Sequence, residues 1–167
     1  MIFAPENIAW DQAPPSLPPG AQVAILEGDL RAAGPFTMRA KMPANYRIPP
    51  HWHPMDERVT ILSGTMHMAT GDQFDTTQGH ALNAGTFTLM PARMHHYAWT
   101  TDEAIIQLNG IGPWTINYLN PFDDPRQQAR NARKPQSFET SVGVQQAPAA
   151  EPAKPAQPSK RKGFWKP

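Results

Sequence analysis

Between Ala21 and Pro121 apolar and polar residues alternate in short runs instead of recurring every three or four positions. Phe36, Met38, Ala40 and Met42 interleave with Thr37, Arg39 and Lys41, the period-2 signature of a strand with one buried face. Comparable runs are Gln22 to Glu27, Arg58 to Leu62, Thr65 to Ala69, Thr86 to Met90, Tyr97 to Thr100, Ala104 to Leu108 and Trp114 to Leu119. Turn chemistry separates them at Gly34-Pro35, Pro49-Pro50, Ser63-Gly64, Gly71-Asp72, Ala84-Gly85 and Gly112-Pro113. So many short strands in about a hundred residues, with no helical period, predict an all-β domain, a closed or two-sheet antiparallel barrel.

The flanks read differently. Pro5, Pro14, Pro15, Pro18 and Pro19 make residues 1–20 an extended N-terminal arm, of the kind that exchanges between subunits, and a homodimer is expected from it. The barrel is expected over residues 21–125. From Arg126 the periodicity stops, and residues 126–167 read as a disordered Pro/Ala-rich tail. Charge divides at the same boundary: residues 1–125 hold six Lys or Arg against twelve Asp or Glu, whereas residues 126–167 hold nine against two. The basic end from Lys160 to Lys166, with Phe164 and Trp165, reads as a solvated terminus, the alternative being a contact for an anionic surface or partner.

Composition narrows the chemistry. The chain of 167 residues has no cysteine, which excludes disulfides and thiolate ligands, so any metal must be held by nitrogen and oxygen. No apolar run approaches the roughly 20 residues of a membrane span, and residues 1–20 lack the pattern of a signal peptide. The expectation is a cytoplasmic protein, or a periplasmic one if an export signal was trimmed, that binds no nucleic acid.

The chemistry concentrates in His51-Trp-His53-Pro-Met-Asp-Glu57. Two imidazoles two residues apart share one face of an extended chain, and a carboxylate follows after the Pro54 turn. The pair His95-His96 offers a third imidazole; neighbours on a strand face opposite ways, so only one of the two can point inward. The alternative is that all of these are ordinary core or surface polar residues. His67 and His80 read as structural or exposed.

These residues resemble the two motifs of the cupin superfamily. In the first, His-x-His is followed after three residues by Glu and after six more by Gly, matched here by His51, His53, Glu57 and Gly64. In the second, Gly85, Pro91 and His96 fall in register, while Arg93 stands where the family usually has Gly and Thr100 where it has Asn. The resemblance covers roughly residues 35 to 120. It implies a cupin double-stranded β-helix, or jelly-roll barrel, and a small single-domain metal-binding protein. It also implies His51, His53, Glu57 and His96 as ligands of one divalent transition metal, and leaves Mn, Fe, Co, Ni and Zn open.

A metal held by four protein groups keeps one or two positions for water, substrate or oxygen, and Glu57 is the candidate catalytic base. Tyr46, Arg47, Trp52, Met55, Arg93, Gln107 and Trp114 are candidate substrate contacts, with Phe87, Met90, Met94, Trp99 and Asn109 nearby in sequence. Two functions are expected from this family: a metal-dependent enzyme, dioxygenase-like, acting on a small oxygen-bearing molecule, or a non-catalytic metal- or ligand-binding sensing module.

Overall fold

The computed structural model describes residues 1–132. Two antiparallel sheets face each other. The first joins β1 (Asp11–Gln12), β2 (Gln22–Glu27), β3 (Gly34–Met42), β10 (Ala104–Gly112), β5 (Glu57–Ser63) and β8 (Phe87–Met90), in that spatial order. The second joins β11 (Asn117–Tyr118), β4 (Arg47–Trp52), β9 (His96–Thr100), β6 (Thr65–Thr70) and β7 (His80–Asn83). The expected all-β barrel is therefore what the chain forms.

The alternating residues of β3 meet those of β10 without a slip from Met42↔Ala104 to Gly34↔Gly112. Phe36, Met38, Ala40, Ile106 and Leu108 all turn inward from this pair onto Ile48, Met66, Met68 and Ala98 of the opposite sheet. Strand β9 departs from the alternating pattern, because all five of its residues are buried. Its outer face, Tyr97 and Trp99, is covered by Phe74 from the segment between β6 and β7. Gly79 closes that cover: a Cβ there would lie 2.0 Å from the Trp99 ring.

Three local expectations are corrected. Pro49-Pro50, read as a turn, lies inside β4. The prolines have no N–H for the ladder, so the pairing with β9 shifts between Ile48 and His51. Trp114 to Leu119 shortens to β11, because Trp114 and Ile116 pack into the core and the Thr115 carbonyl is used by His53. Beyond Asp124 the chain forms α1 (Pro125–Ala132), where Arg126 donates to the Ile116 carbonyl at 2.8 Å, so order extends past the expected boundary at Arg126. The basic cluster Lys160 to Lys166 lies outside the described residues.

The N-terminal arm rests on its own barrel. Leu17 is buried in the core, and the hydroxyls of Tyr46 and Tyr118 donate to the carbonyls of Pro18 and Ser16. Among the described residues no helix is long and apolar enough to cross a membrane.

Candidate metal centre

His51 at the end of β4, His53 just after it, Glu57 at the start of β5 and His96 at the start of β9 meet inside the barrel, each between 1% and 6% exposed. Register explains the meeting. His51 and His96 are direct cross-strand partners, and such partners project from the same face of a sheet. Glu57 comes from the facing sheet.

The imidazole orientations are determined by the backbone. Nδ1 of His51 contacts the Pro49 carbonyl at 2.7 Å, Nδ1 of His53 the Thr115 carbonyl at 2.9 Å, and Nδ1 of His96 the Met94 carbonyl at 2.9 Å. A carbonyl only accepts, so each Nδ1 carries the hydrogen and each neutral ring turns a bare Nε2 inward. One ligand atom from each of the three rings lies within 4.8 Å of the others. Glu57 lies outside that group of three but faces two of its rings, with Oε1 at 3.4 Å from Nε2 of His53 and Oε2 at 3.3 Å from Nε2 of His96.

Two donors each about 2.1 Å from one ion stand about 3.0–3.4 Å apart at right-angled to tetrahedral geometry. The Glu57 contacts match that spacing. The Nε2 atoms of His53 and His96 are buried without a hydrogen-bond partner, and lone pairs facing a carboxylate repel unless a cation sits between them. The three imidazoles, with Glu57 beside them, therefore fit a divalent ion.

The electrostatics follow from the same crowding. Burial and then its two imidazole neighbours hold His51 down to about 3. Burial, against the pull of Glu57, also lowers His53. At His96 burial is outweighed by the Glu57 carboxylate, and its pKa rises. Burial would raise Glu57, but the surrounding rings, His53 first, bring it to about 2, so it stays ionised.

Space around the centre is uneven. The cavity directly against His51, His53 and Glu57, walled by Met38, Met66 and Trp114, is about 30 Å³, room for a water or two. A second cavity of about 340 Å³ opens where the edge strands β7 and β8 leave the barrel unsealed. Met68, Ala69 and Thr70 of β6, Gln78 before β7, His80 and Leu82 of β7, and Thr88 and Met90 of β8 line it. Thr70 is the cross-strand partner of His96, and Met90 that of Glu57, so this vestibule begins one strand over from those two residues.

Of the expected substrate contacts, the structure brings Trp114 to the centre, stacked on His53 at 4.6 Å between ring centroids. The others lie elsewhere. Tyr46 is tied to the arm, Arg47 sits over the Phe74 ring, and Gln107 accepts from Arg39 on the outer side of the first sheet. Trp52 falls between the inward-facing His51 and His53, and Met55 is exposed. Arg93 is exposed with φ of 64°, and its N–H donates to the His53 carbonyl at 2.8 Å. Of the residues named as near the motifs, Met90 lines the vestibule; Phe87 and Met94 are exposed, Trp99 belongs to the covered outer face of β9, and Asn109 donates to Thr37.

The two motif departures have structural reasons. Arg93 takes the left-handed backbone that the usual glycine would adopt. Thr100 uses its hydroxyl to donate to the Pro43 carbonyl at 2.7 Å and to accept from the Tyr46 N–H at 3.1 Å, pinning the turn before β4. His95, excluded from the centre by strand parity, pairs with Asp72 at 2.7 Å, and His67 stacks on Trp99 outside the barrel. The vestibule residues Met68, Thr70 and Thr88 were missed, because alternation marks a strand's inward face but not where the barrel stays open.

A two-sheet barrel with a buried triad of imidazoles facing a carboxylate defines the chain as a cupin. More closely, residues 1–114 match the model of the ChrR cupin-like domain, and the chain belongs to that family. Solved structures share its fold at low identity. RemF, a polyketide cyclase of Streptomyces resistomycificus, is 14% identical with a TM-score of 0.61, covering 78% of this chain and 92% of its own. KdgF from a Halomonas species is 13% identical with a TM-score of 0.51, covering 66% and 94%. An RmlC-like cupin of Shewanella frigidimarina is 13% identical with a TM-score of 0.50, covering 65% and 87%. No curated protein matches the sequence.

Proposed function

We propose that this chain is a mononuclear metal cupin that acts as a metal-dependent enzyme on a small oxygen-bearing organic molecule. One divalent transition ion is held by His51, His53, Glu57 and His96. The observation that carries the reading is the set of inward Nε2 atoms, oriented by three backbone carbonyls and, at His53 and His96, buried without partners. When bound, such an ion supplies Lewis acidity toward an oxygen donor and tolerates Mn, Fe, Co, Ni or Zn.

The protein groups do the rest. The imidazoles hold the donor geometry rigid, because moving any ring breaks its Nδ1–H bond to the backbone. Glu57, the buried inward carboxylate among the described residues, is the candidate acceptor of a proton from a hydroxyl or enol brought against it. The vestibule admits the molecule and orients it between Met68 and Met90, while the packed inner wall keeps bulk water out.

A second reading, a non-catalytic binding or sensing module, has one observation in its favour. The space directly against the ligands holds little more than water. The deciding experiment has two stages. Elemental analysis of protein purified without added metal should find about one transition ion per chain, and chelation should remove it. Oxygen uptake and product formation across diketones, catechols and flavonols should then depend on the restored ion. Metal without turnover of any compound favours the sensing module, and no metal at all refutes both.

A further inference from the structure

The outer side of the first sheet has an apolar end. Along β8, Phe87 and Leu89 alternate with the inward Thr88 and Met90 and so turn to the outer face, where they stand 61% and 43% exposed. Their partners on β5 are Thr60 and Arg58, and Leu62, exposed on the same outer row, is the diagonal neighbour of Phe87. Beyond Leu89 the strand pair runs on into two turns. The Arg93 N–H donates to the His53 carbonyl at 2.8 Å and the Ala92 N–H to an Asp56 carboxylate oxygen at 2.9 Å, which ties these turns side by side. They carry the exposed Met55 and Met94. Five of the eleven exposed large apolar residues among the described ones thus gather on one strand pair and its turns.

Edge strands are ordinarily blunted by lysine, proline or a bulge. Strand β8 has none of these: it pairs with β5 from Glu57↔Met90 to Thr60↔Phe87 without a slip, and its residues are Phe, Thr, Leu and Met. At the other edges, β1 and β11 are two residues long, and β7 sets its Leu82 against the buried Met66. The five apolar residues expose on the order of 400 Å², within the about 300–600 Å² of the largest patch on a monomer, which is often functional. Two such patches with a shared polar rim reach the roughly 1,000 Å² that separates a specific interface from a chance contact. The charge at the rim selects the partner. Residues 1–125 hold twelve acidic residues against six basic ones, so two copies brought together at random repel. Here Arg58 and Asp56, 3.2 Å apart and almost equally exposed, give each copy one cation and one anion beside the patch. A two-fold contact brings residue i of one copy to residue j of the other and j to i, so Arg58 of each meets Asp56 of the other. A purely acidic or purely basic partner would match only one of the two.

We infer that the outer face of β5 and β8 is the contact between two copies of this chain, packed sheet on sheet about a two-fold axis. Phe87 and Leu89 form its middle, and Arg58 and Asp56 its rim. Sheets packed face to face stand about 10 Å apart, a gap that two layers of side chains of this size fill. The contact uses neither the metal centre nor the N-terminal arm, which rests on its own barrel. It lies on the opposite side of β8 from the vestibule, which Thr88 and Met90 line.

The test is sedimentation equilibrium of the full chain from about 1 to 500 µM, the range in which a contact of this size associates. A reversible dimer is expected. Phe87→Glu and Leu89→Lys each place two like charges at the middle of the contact, one from each copy, and each is expected to weaken it at least about tenfold. Phe122→Glu charges another exposed apolar side chain, on the far segment before α1, and is expected to change nothing. Arg58→Glu sets like charges against each other at the rim and is expected to weaken the dimer severalfold in about 50 mM salt, and less in about 1 M. Circular dichroism melts check that each variant is folded, and Arg58→Glu, at a solvated position, carries the decision should a central variant melt early. A wild type that stays monomeric throughout overturns the inference. So does a dimer that survives Phe87→Glu and Leu89→Lys, or one that Phe122→Glu dissolves equally.

Discussion

The two spaces on either side of the ligands differ sharply. Toward β3 and β10 the interior is closed by Met38, Leu108 and Trp114, leaving about 30 Å³. Toward β7 and β8, where no ladder joins the sheets, about 340 Å³ is open. The closed side packs directly against His51, His53 and Glu57, and the open side leaves space beside the centre. The same barrel does both because its central strands have partners on each side and its edge strands do not.

The comparison can be broken most severely at the centre itself. His53→Ala removes a ligand and should lower metal affinity by more than about 100-fold, beyond the loss typical of a mere supporting hydrogen bond. His95→Ala, whose ring pairs with Asp72 away from the centre, should leave metal content near wild type. Elemental analysis of both variants checks this, and the reverse result would mean the other histidine of the pair is the ligand.

Acid comes next. Because Glu57 raises the pKa of His96 above its ordinary 6.5 in the metal-free protein, one proton must leave for each ion bound at any pH below that raised pKa. Affinity should then fall about tenfold per pH unit on acidification and be flat above it. Calorimetry in buffers of different ionisation enthalpy reads the proton release. His51 and His53 act on folding in the same direction. Their lowered values mean a contribution complete above 6.5 and lost as pH falls, for His51 down to about 3. The raised His96 contributes oppositely, its share present below 6.5 and lost as pH rises through its folded value.

Packing separates the two sides by a smaller amount. Met38→Ala, at 1% exposure on the closed side, should cost about 2–5 kcal/mol. Met90→Ala, half-buried on the open side, should cost under about 1 kcal/mol and admit bulkier ligands. Denaturant melts compare them. The smallest effect is expected at the rim: Arg93→Gly relieves a left-handed backbone and should stabilise by about 1 kcal/mol, with metal content unchanged.

Much of the barrel was legible because burial on one face writes itself as alternation. Phe36, Met38, Ala40 and Met42 announce β3, and Gln22 to Glu27 appears as read. Strand β4 was hidden by Pro49-Pro50, since those residues signal turns by what they do to ladder hydrogen bonds, and here the strand tolerates the loss. β7 was hidden because its residues His80 to Asn83 are mostly exposed. For the site, the spacing of His51, His53 and Glu57 was enough to expect convergence; parity said that only one of His95 and His96 could join them, and the resemblance to the second motif chose His96. The substrate contacts were read from residue type alone, and type does not say which face of a sheet a residue occupies once bulges and edges intervene.

By itself the sequence determined the local terms: the period of each strand, the absence of thiolate ligands, the donor set and its spacing. These depend on neighbours in the chain and on side-chain chemistry. Only the tertiary structure decided that Thr115, sixty-two residues away, orients His53, that Trp114 closes one side of the centre, and that the gap between β7 and β8 opens the other. Those are consequences of how two sheets stack and which edges remain unpaired, and sheet pairing is a long-range choice that no run of neighbouring residues encodes.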